Sequence, residues 1–320
     1  MDVHLPSFQD LLLSRSTIQT QLALVLINAI VWYYVIPKFA KLLKQHVTRQ
    51  PYCKQFVKLS RKAWEECLDR EFESDEDALD YSCEVAGALL QHLIGGIFCI
   101  PSIFFGAHFP QAVASALAKH GCLMEAGWEF QDLAERFYQV FVKNDWTKNS
   151  PTSLRTLVLH HSMGLSIIVP LNIYFGDNRL YHEGMFLMQG VSAFCITSQY
   201  YSYTLNTEKP WDMIQMKVLS MSNFLIMFYC RIIGFGGIMM KILPIIYDQN
   251  QILAIAGIVT TILMQYLNFK FLRSNFSRAV KYAFLPLPPV KKGEAFSNWY
   301  WIKEKLSQSI VPIDYHKKKL

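Results

Sequence analysis

Charge is scarce in this chain. Only 18% of its 320 residues are Asp, Glu, Lys or Arg, where a soluble domain usually carries about a quarter. The few charges gather in short stretches between long apolar runs, and no intervening segment is long or apolar enough for a separate soluble core. Paired cysteines are lacking too: Cys53, Cys67, Cys83, Cys99, Cys122, Cys195 and Cys230 stand singly, with no CxxC. That argues against a disulfide scaffold or a thiolate metal site and predicts free thiols. No small-residue cleavage site follows the first apolar stretch, and Asp2 and Asp10 sit where a signal peptide would carry positive charge. The stretch ending at Pro37 is therefore expected to remain as a first span. The net charge of +6 is not read as a nucleic-acid footprint, because Lys and Arg flank the apolar runs, where membrane orientation accounts for them.

What the chain does have is apolar runs of membrane-spanning length. In lipid each must satisfy its own backbone and so must be a helix. Runs near residues 18–36, 83–105, 113–142, 156–175, 184–203, 218–243 and 252–272 predict an all-α, polytopic membrane protein with about seven transmembrane helices. Basic residues after the first run, Lys38 to Lys62, place that side in the cytosol. Alternation then places Lys143, Lys148, Arg155, Lys209, Lys217, Arg273 and Arg278 there as well. The organisation expected is a lumenal N-terminus at 1–17, a first span at 18–36, a cytosolic segment at 37–80, about six helices within 81–285, and a cytosolic tail at 286–320. Within the cytosolic segment, Phe56, Leu59, Ala63 and Cys67 recur at helical spacing and predict a helix lying in the membrane interface. The acidic run Glu71–Asp80 reads as a solvated loop. The chain ends Lys317-Lys318-Lys319-Leu320. Lys317 and Lys318 match a dilysine retrieval signal read by a coat receptor, which predicts residence in the endoplasmic reticulum membrane. Asn275-Phe276-Ser277 is a glycosylation sequon expected on the cytosolic side and hence unmodified.

Ionisable groups inside spans are costly and should face a shared interior. Glu125, Glu129, Asp132, Arg136 and Gln139 form one stripe of the third span. His160 and His161 open the fourth. Adjacent helical positions point about 100° apart, and His161, in line with Gly164, Leu165, Ile168 and Asn172, is the expected inward residue. Gln189, Ser192, Gln199 and Tyr203 share a face of the fifth span, and Asn223, Arg231 and Gly234 a face of the sixth. Arg231 could serve as a clamp for phosphate or carboxylate, or pair with Asp132 or Glu129. Gln189 and Asn223 could equally be interhelical hydrogen-bond partners.

At these same residues the chain resembles the TLC-domain family, the membrane domain of ceramide synthases and translocating-chain-associating membrane proteins. Gly127-Trp128-Glu129-Phe130-Gln131-Asp132, Leu159-His160-His161, Gln189 to Phe194 and Phe228 to Arg231 look like four of its elements, in order, across roughly residues 80–285. Gln189 stands where many members carry Glu and Ala193 where they carry Pro, and the His-Asp-x-x-Asp element of ceramide synthases is missing. The resemblance implies six helices in a barrel-like bundle around a polar cavity, and a membrane lipid as partner. Two uses of that cavity are expected: binding of a sphingolipid or fatty acid, or acyl transfer from acyl-CoA with His161 as general base, Asp132 or Glu129 orienting it, and His160 beside it. A third expectation, suited to the dilysine end, is cargo escort between endoplasmic reticulum and Golgi. Fatty-acid elongases share the length, span number, paired histidines and dilysine tail, but Leu157 breaks their His-x-x-His-His element and argues against that class. No bound cofactor and no metal is expected, because nine scattered histidines are too few for a di-iron enzyme.

Overall fold

A computed structural model of the chain describes residues 5–69, 71–105, 108–146 and 149–289. The described residues form helices and connecting turns, with no strand among them. After a short α1 (Phe8–Leu12) come α2 (Ile18–Thr48), α3 (Cys53–Leu68), α4 (Asp75–Val85), α5 (Gly87–Phe104), α6 (Gln111–Phe137), α7 (Pro151–Phe175), α8 (Arg179–Tyr203), α9 (Pro210–Ile226), α10 (Phe235–Gln249) and α11 (Gln251–Phe284). Local chemistry sets many of the starts. Thr17, Ser74, Ser150, Asn178 and Asn250 each cap a helix by accepting a hydrogen bond from a first-turn amide, and Pro151 and Pro210 occupy first-turn positions where no amide is needed.

Five helical stretches are long and apolar enough to cross a membrane: Ile18–Thr48, Asp75–Phe104, Ser153–Phe175, Pro210–Gln249 and Gln251–Phe284. By these helices the chain is a multi-pass membrane protein. Large apolar side chains such as Ile30, Tyr34, Met240, Ile262 and Tyr266 point outward, as expected where the solvent is hydrocarbon. α6 and α8 fall short of that apolar standard; both carry the polar residues that the interior uses.

The acidic run differs from expectation. Ser74 caps a helix whose first turn is Asp75, Glu76 and Asp77, so most of the supposed loop is helical. Acidic side chains in a first turn complement the helix dipole. The helix at 53–68 forms as expected, but its buried residues are Phe56, Val57, Ser60 and Leu68. Phe56 packs against Tyr200 and Tyr203 of α8, and Cys67 is exposed. Phe56, Leu59 and Ala63 of the expected apolar face pack against protein. Arg61 and Glu65 then fasten α3 to the start of α4. Glu65 Oε1 accepts from Arg61 Nε (2.8 Å) and the Phe72 amide (2.9 Å), and Arg61 Nη1 reaches Asp75 (2.8 Å).

The main apolar core joins Leu24 and Val25 of α2 to Cys122, Leu123 and Ala126 of α6 and to Ile168 of α7. Small residues bring helices close at one crossing. A side chain on Gly121 would come within 2.6 Å of the Gly95 carbonyl oxygen, and one on Gly95 would overlap the Gln189 side chain. Neighbouring helices pair as α5 with α6 and α8, α6 with α7, α7 with α11, α11 with α9 and α10, and α10 with α8. All seven cysteines are free. Lys317 and Lys318 lie outside the described residues.

Candidate functional site

A cavity of about 370 Å³ lies among α5 to α11, within the size range of small-molecule sites. α8 lines it from Leu180 to Gln199 and α11 from Gly257 to Arg278. At 1.5 Å per residue these stretches run for about 30 Å, the thickness of a bilayer's hydrocarbon core. One part of the wall is apolar, including Ile167, Leu171, Met185, Ile238 and Ile242. Another is a polar girdle: His92 from α5, Glu125 and Glu129 from α6, His160 from α7, Gln189 and Ser192 from α8, Asn223 from α9 and Arg231 beyond it.

The α6 stripe has the periodicity that its spacing predicts, but its members do different work. Glu125 and Glu129 reach the cavity wall. Glu125 Oε2 accepts from Gln91 Nε2 (2.5 Å) and lies 3.1 Å from His92 Nδ1. Asp132 does not line the cavity. Its Oδ2 accepts from Arg136 Nε (2.8 Å), and His161 Nε2 lies 3.0 Å from the same oxygen. Arg136 Nη1 continues to Asn149 Oδ1 (2.7 Å), and Gln139 turns aside to Glu135.

The paired histidines correct the sequence expectation. Gly164 and Ile168 of the expected stripe do line the cavity, but they do so with His160, Met163, Ile167 and Leu171 rather than with His161, Leu165 and Asn172, so the inward face is rotated toward His160. His161 is fully buried behind it. Its Nε2 faces Asp132, and its Nδ1 lies 3.7 Å from Glu129 Oε1. Trp128 sits edge-on to both His161 and His92, with ring centroids 5.0 and 5.6 Å away. Asn172, expected on the same face, instead donates to Gln21 and to the Lys119 carbonyl.

Arg231 forms no ion pair with Asp132 or Glu129 among the described contacts. It donates to the Met188 carbonyl, to Ser192 Oγ and to Asn268 Oδ1. It occupies a stretch of π-helical geometry, Met227–Gly234, an irregularity that often accompanies functional sites. Gln189 Nε2 donates to the Gly121 carbonyl (3.2 Å), so this residue does tie α8 to α6. Tyr203 and Gly234, expected on the polar faces, are absent from the wall.

The girdle is incompletely satisfied by the protein. Glu129 Oε2, His160 Nδ1, Gln189 Oε1, Asn223 Oδ1 and Arg231 Nε are all buried without a hydrogen-bond partner. Such atoms are costly unless something polar meets them. Glu129, His160 and His161 also bring a ligating atom each within 4.8 Å of one another, a cluster that the reading of scattered histidines did not foresee. His92 was missed by sequence reasoning. The signal was present, since Gln91-His92 is a polar pair in the middle of an apolar run.

No protein-family model, curated protein or solved structure matches the chain.

Proposed function

We propose that the chain is an endoplasmic reticulum membrane protein of the TLC type that binds or acts on a lipid in this cavity. The observation that carries the reading is the joining of an apolar wall to a girdle of unpartnered polar atoms. An amphiphile satisfies both at once: its chain covers the apolar wall, and its carbonyl, amide or hydroxyl meets Gln189, Asn223 and Arg231. Neither a wholly apolar ligand nor a small polar one does so.

In this reading α6 and α8 also cross the bilayer, giving seven spans with a cytosolic C-terminus. The polarity of these two helices is then spent on the interior. The helix pairing supports a closed ring, because the order α5, α6, α7, α11, α9–α10, α8 returns to α5. Lys317 and Lys318 would serve as the retrieval signal for a coat receptor.

A second reading is acyl transfer from acyl-CoA, favoured by the free Nδ1 of His160 on the cavity wall. An acceptor amine or hydroxyl attacks the thioester carbonyl and loses its proton to His160 as general base. The C–S bond breaks, and the departing CoA thiolate takes a proton. His161 and Asp132 stand behind His160 and position it rather than meet the substrate. Purified protein supplied with acyl-CoA and sphingoid or lysolipid acceptors separates the two. Product that His160→Ala abolishes supports acyl transfer. Stoichiometric lipid without turnover supports binding, and neither lipid nor product contradicts both.

A further inference from the structure

We propose that Glu129, His160 and His161, brought together where α6 meets α7, hold one divalent transition-metal ion, zinc in the first instance. The proposal goes beyond lipid binding and does not depend on it. A metal-bound His160 has no free lone pair at that nitrogen, so the ion would replace the general-base role given to His160 in the acyl-transfer reading.

Three features of the site argue for an ion. The donor set comes first: two imidazoles and one carboxylate match the protein ligands of open zinc sites. Neighbouring helical residues start in different directions, yet the His160 and His161 rings lean together, with centroids 5.3 Å apart. The ligating atoms, now within 4.8 Å, would close to about 3.3 Å around a tetrahedral ion. Closing the set requires each ligating atom to move inward by about an ångström. Gly164 makes room for the third ligand, because any side chain there would overlap the Glu129 carboxylate.

The second feature is the set of unused lone pairs. Glu129 Oε2, His160 Nδ1 and His161 Nδ1 are each buried without a hydrogen-bond partner. His161 donates from Nε2 to Asp132, which leaves its Nδ1 facing Glu129 Oε1 at 3.7 Å, beyond hydrogen-bond distance. A carboxylate behind a ligating histidine is the usual support of such a ligand, and Arg136 fixes Asp132 in turn.

Charge is the third. Glu129 is 2% exposed, and among the described residues no Lys or Arg pairs with it; its one imidazole neighbour at ion-pair range is His161, 3.7 Å away. Arg136 is engaged by Asp132, and Arg231 donates to neutral oxygens. A divalent cation would compensate a carboxylate buried in an apolar bundle. Because Glu129 and His160 line the cavity, the ion's open position would face whatever occupies it.

The full chain, purified in detergent without chelator, should contain one zinc per chain by elemental analysis. After stripping, one equivalent of Co²⁺ should give visible d–d absorption. Glu129→Gln and His160→Ala should each lose the zinc and the cobalt bands, while His46→Gln, an exposed histidine on α2, keeps both. The wild-type measurement stands even if a variant fails to fold. Wild-type protein with far less than one metal per chain and no cobalt bands would overturn the proposal and leave His161 hydrogen-bonded to Asp132 with Glu129 3.7 Å from its other nitrogen. Metal retained equally in folded Glu129→Gln and His160→Ala would overturn it as well.

Discussion

His161 Nε2 on α7 lies 3.0 Å from the Asp132 carboxylate on α6. This contact converts a histidine that the sequence places inside the cavity into one that holds its neighbour in place. With His161 engaged behind the wall, His160 is left facing the cavity with its Nδ1 unpaired. The same carboxylate oxygen binds Arg136, so one buried acid serves two partners.

Replacing that acid should therefore weaken the bundle. Asp132→Asn keeps the shape but loses the charge that Arg136 and His161 share. A loss of about 1–3 kcal/mol is expected, since the partners are left buried and poorly satisfied. Thermal unfolding in detergent measures it. The Asp132→Asn/Arg136→Gln double variant should lose less than the sum of the two single variants; strict additivity would show the contact to be idle.

Glycine tells a similar story by contrast. Gly164→Ala would press a methyl into the Glu129 carboxylate, whereas a Cβ on Gly237 meets nothing within 4 Å. The first should destabilise by about 1–3 kcal/mol through overpacking. The second should be neutral or stabilising by up to about 1 kcal/mol, as for Gly→Ala within a helix. Unfolding midpoints of the two variants compare them directly.

Outside the spans, the α3–α4 junction should respond to acid. Hydrogen bonding to Glu65, first from the Phe72 amide and then from Arg61, lowers its pKa from the ordinary 4.5. A carboxyl with a depressed folded pKa stabilises above its unfolded pKa and loses that contribution as pH falls through the folded one. Amide exchange at Phe72, corrected for intrinsic rate, should be faster in Glu65→Gln than in wild type at neutral pH. The gap should begin to close as pH falls below 4.5 and vanish at lower pH. A gap unchanged across that range would remove Glu65 as the fastener.

Topology has a chemical test. With a cytosolic C-terminus, Asn275 should carry no glycan, while an acceptor tag placed before the first residue should be modified. Glycosidase-sensitive mass on each form reads the answer, and a glycan on Asn275 would reverse the orientation.

Five of the seven expected spans were legible because lipid leaves an apolar run no alternative to a helix, and α7 and α11 begin within a few residues of where hydropathy sets them. The α4 start was legible too, since Ser74 followed by Asp77 is a capping pattern, but the acidity of the run masked it. Glu129, Gln189, Asn223 and Arg231 were found by asking which polar residues lie where lipid should be, and all four line the cavity. The choice between His160 and His161 was not accessible. It turns on the rotation of α7 about its axis, which packing against α6 decides. The π-helical stretch around Arg231, and its preference for neutral oxygens over a carboxylate, also arise only in the assembled bundle.

The most direct measurement is native mass spectrometry of the purified chain. A Cβ on Gly184 meets only Ile238, at 3.6 Å, and Gly184 lies on the cavity wall, so Gly184→Phe should plug the space without disturbing the bundle. Wild-type protein should carry one amphiphile per chain, and folded Gly184→Phe none. An empty wild-type chain, or a lipid retained in the plugged variant, would contradict the account.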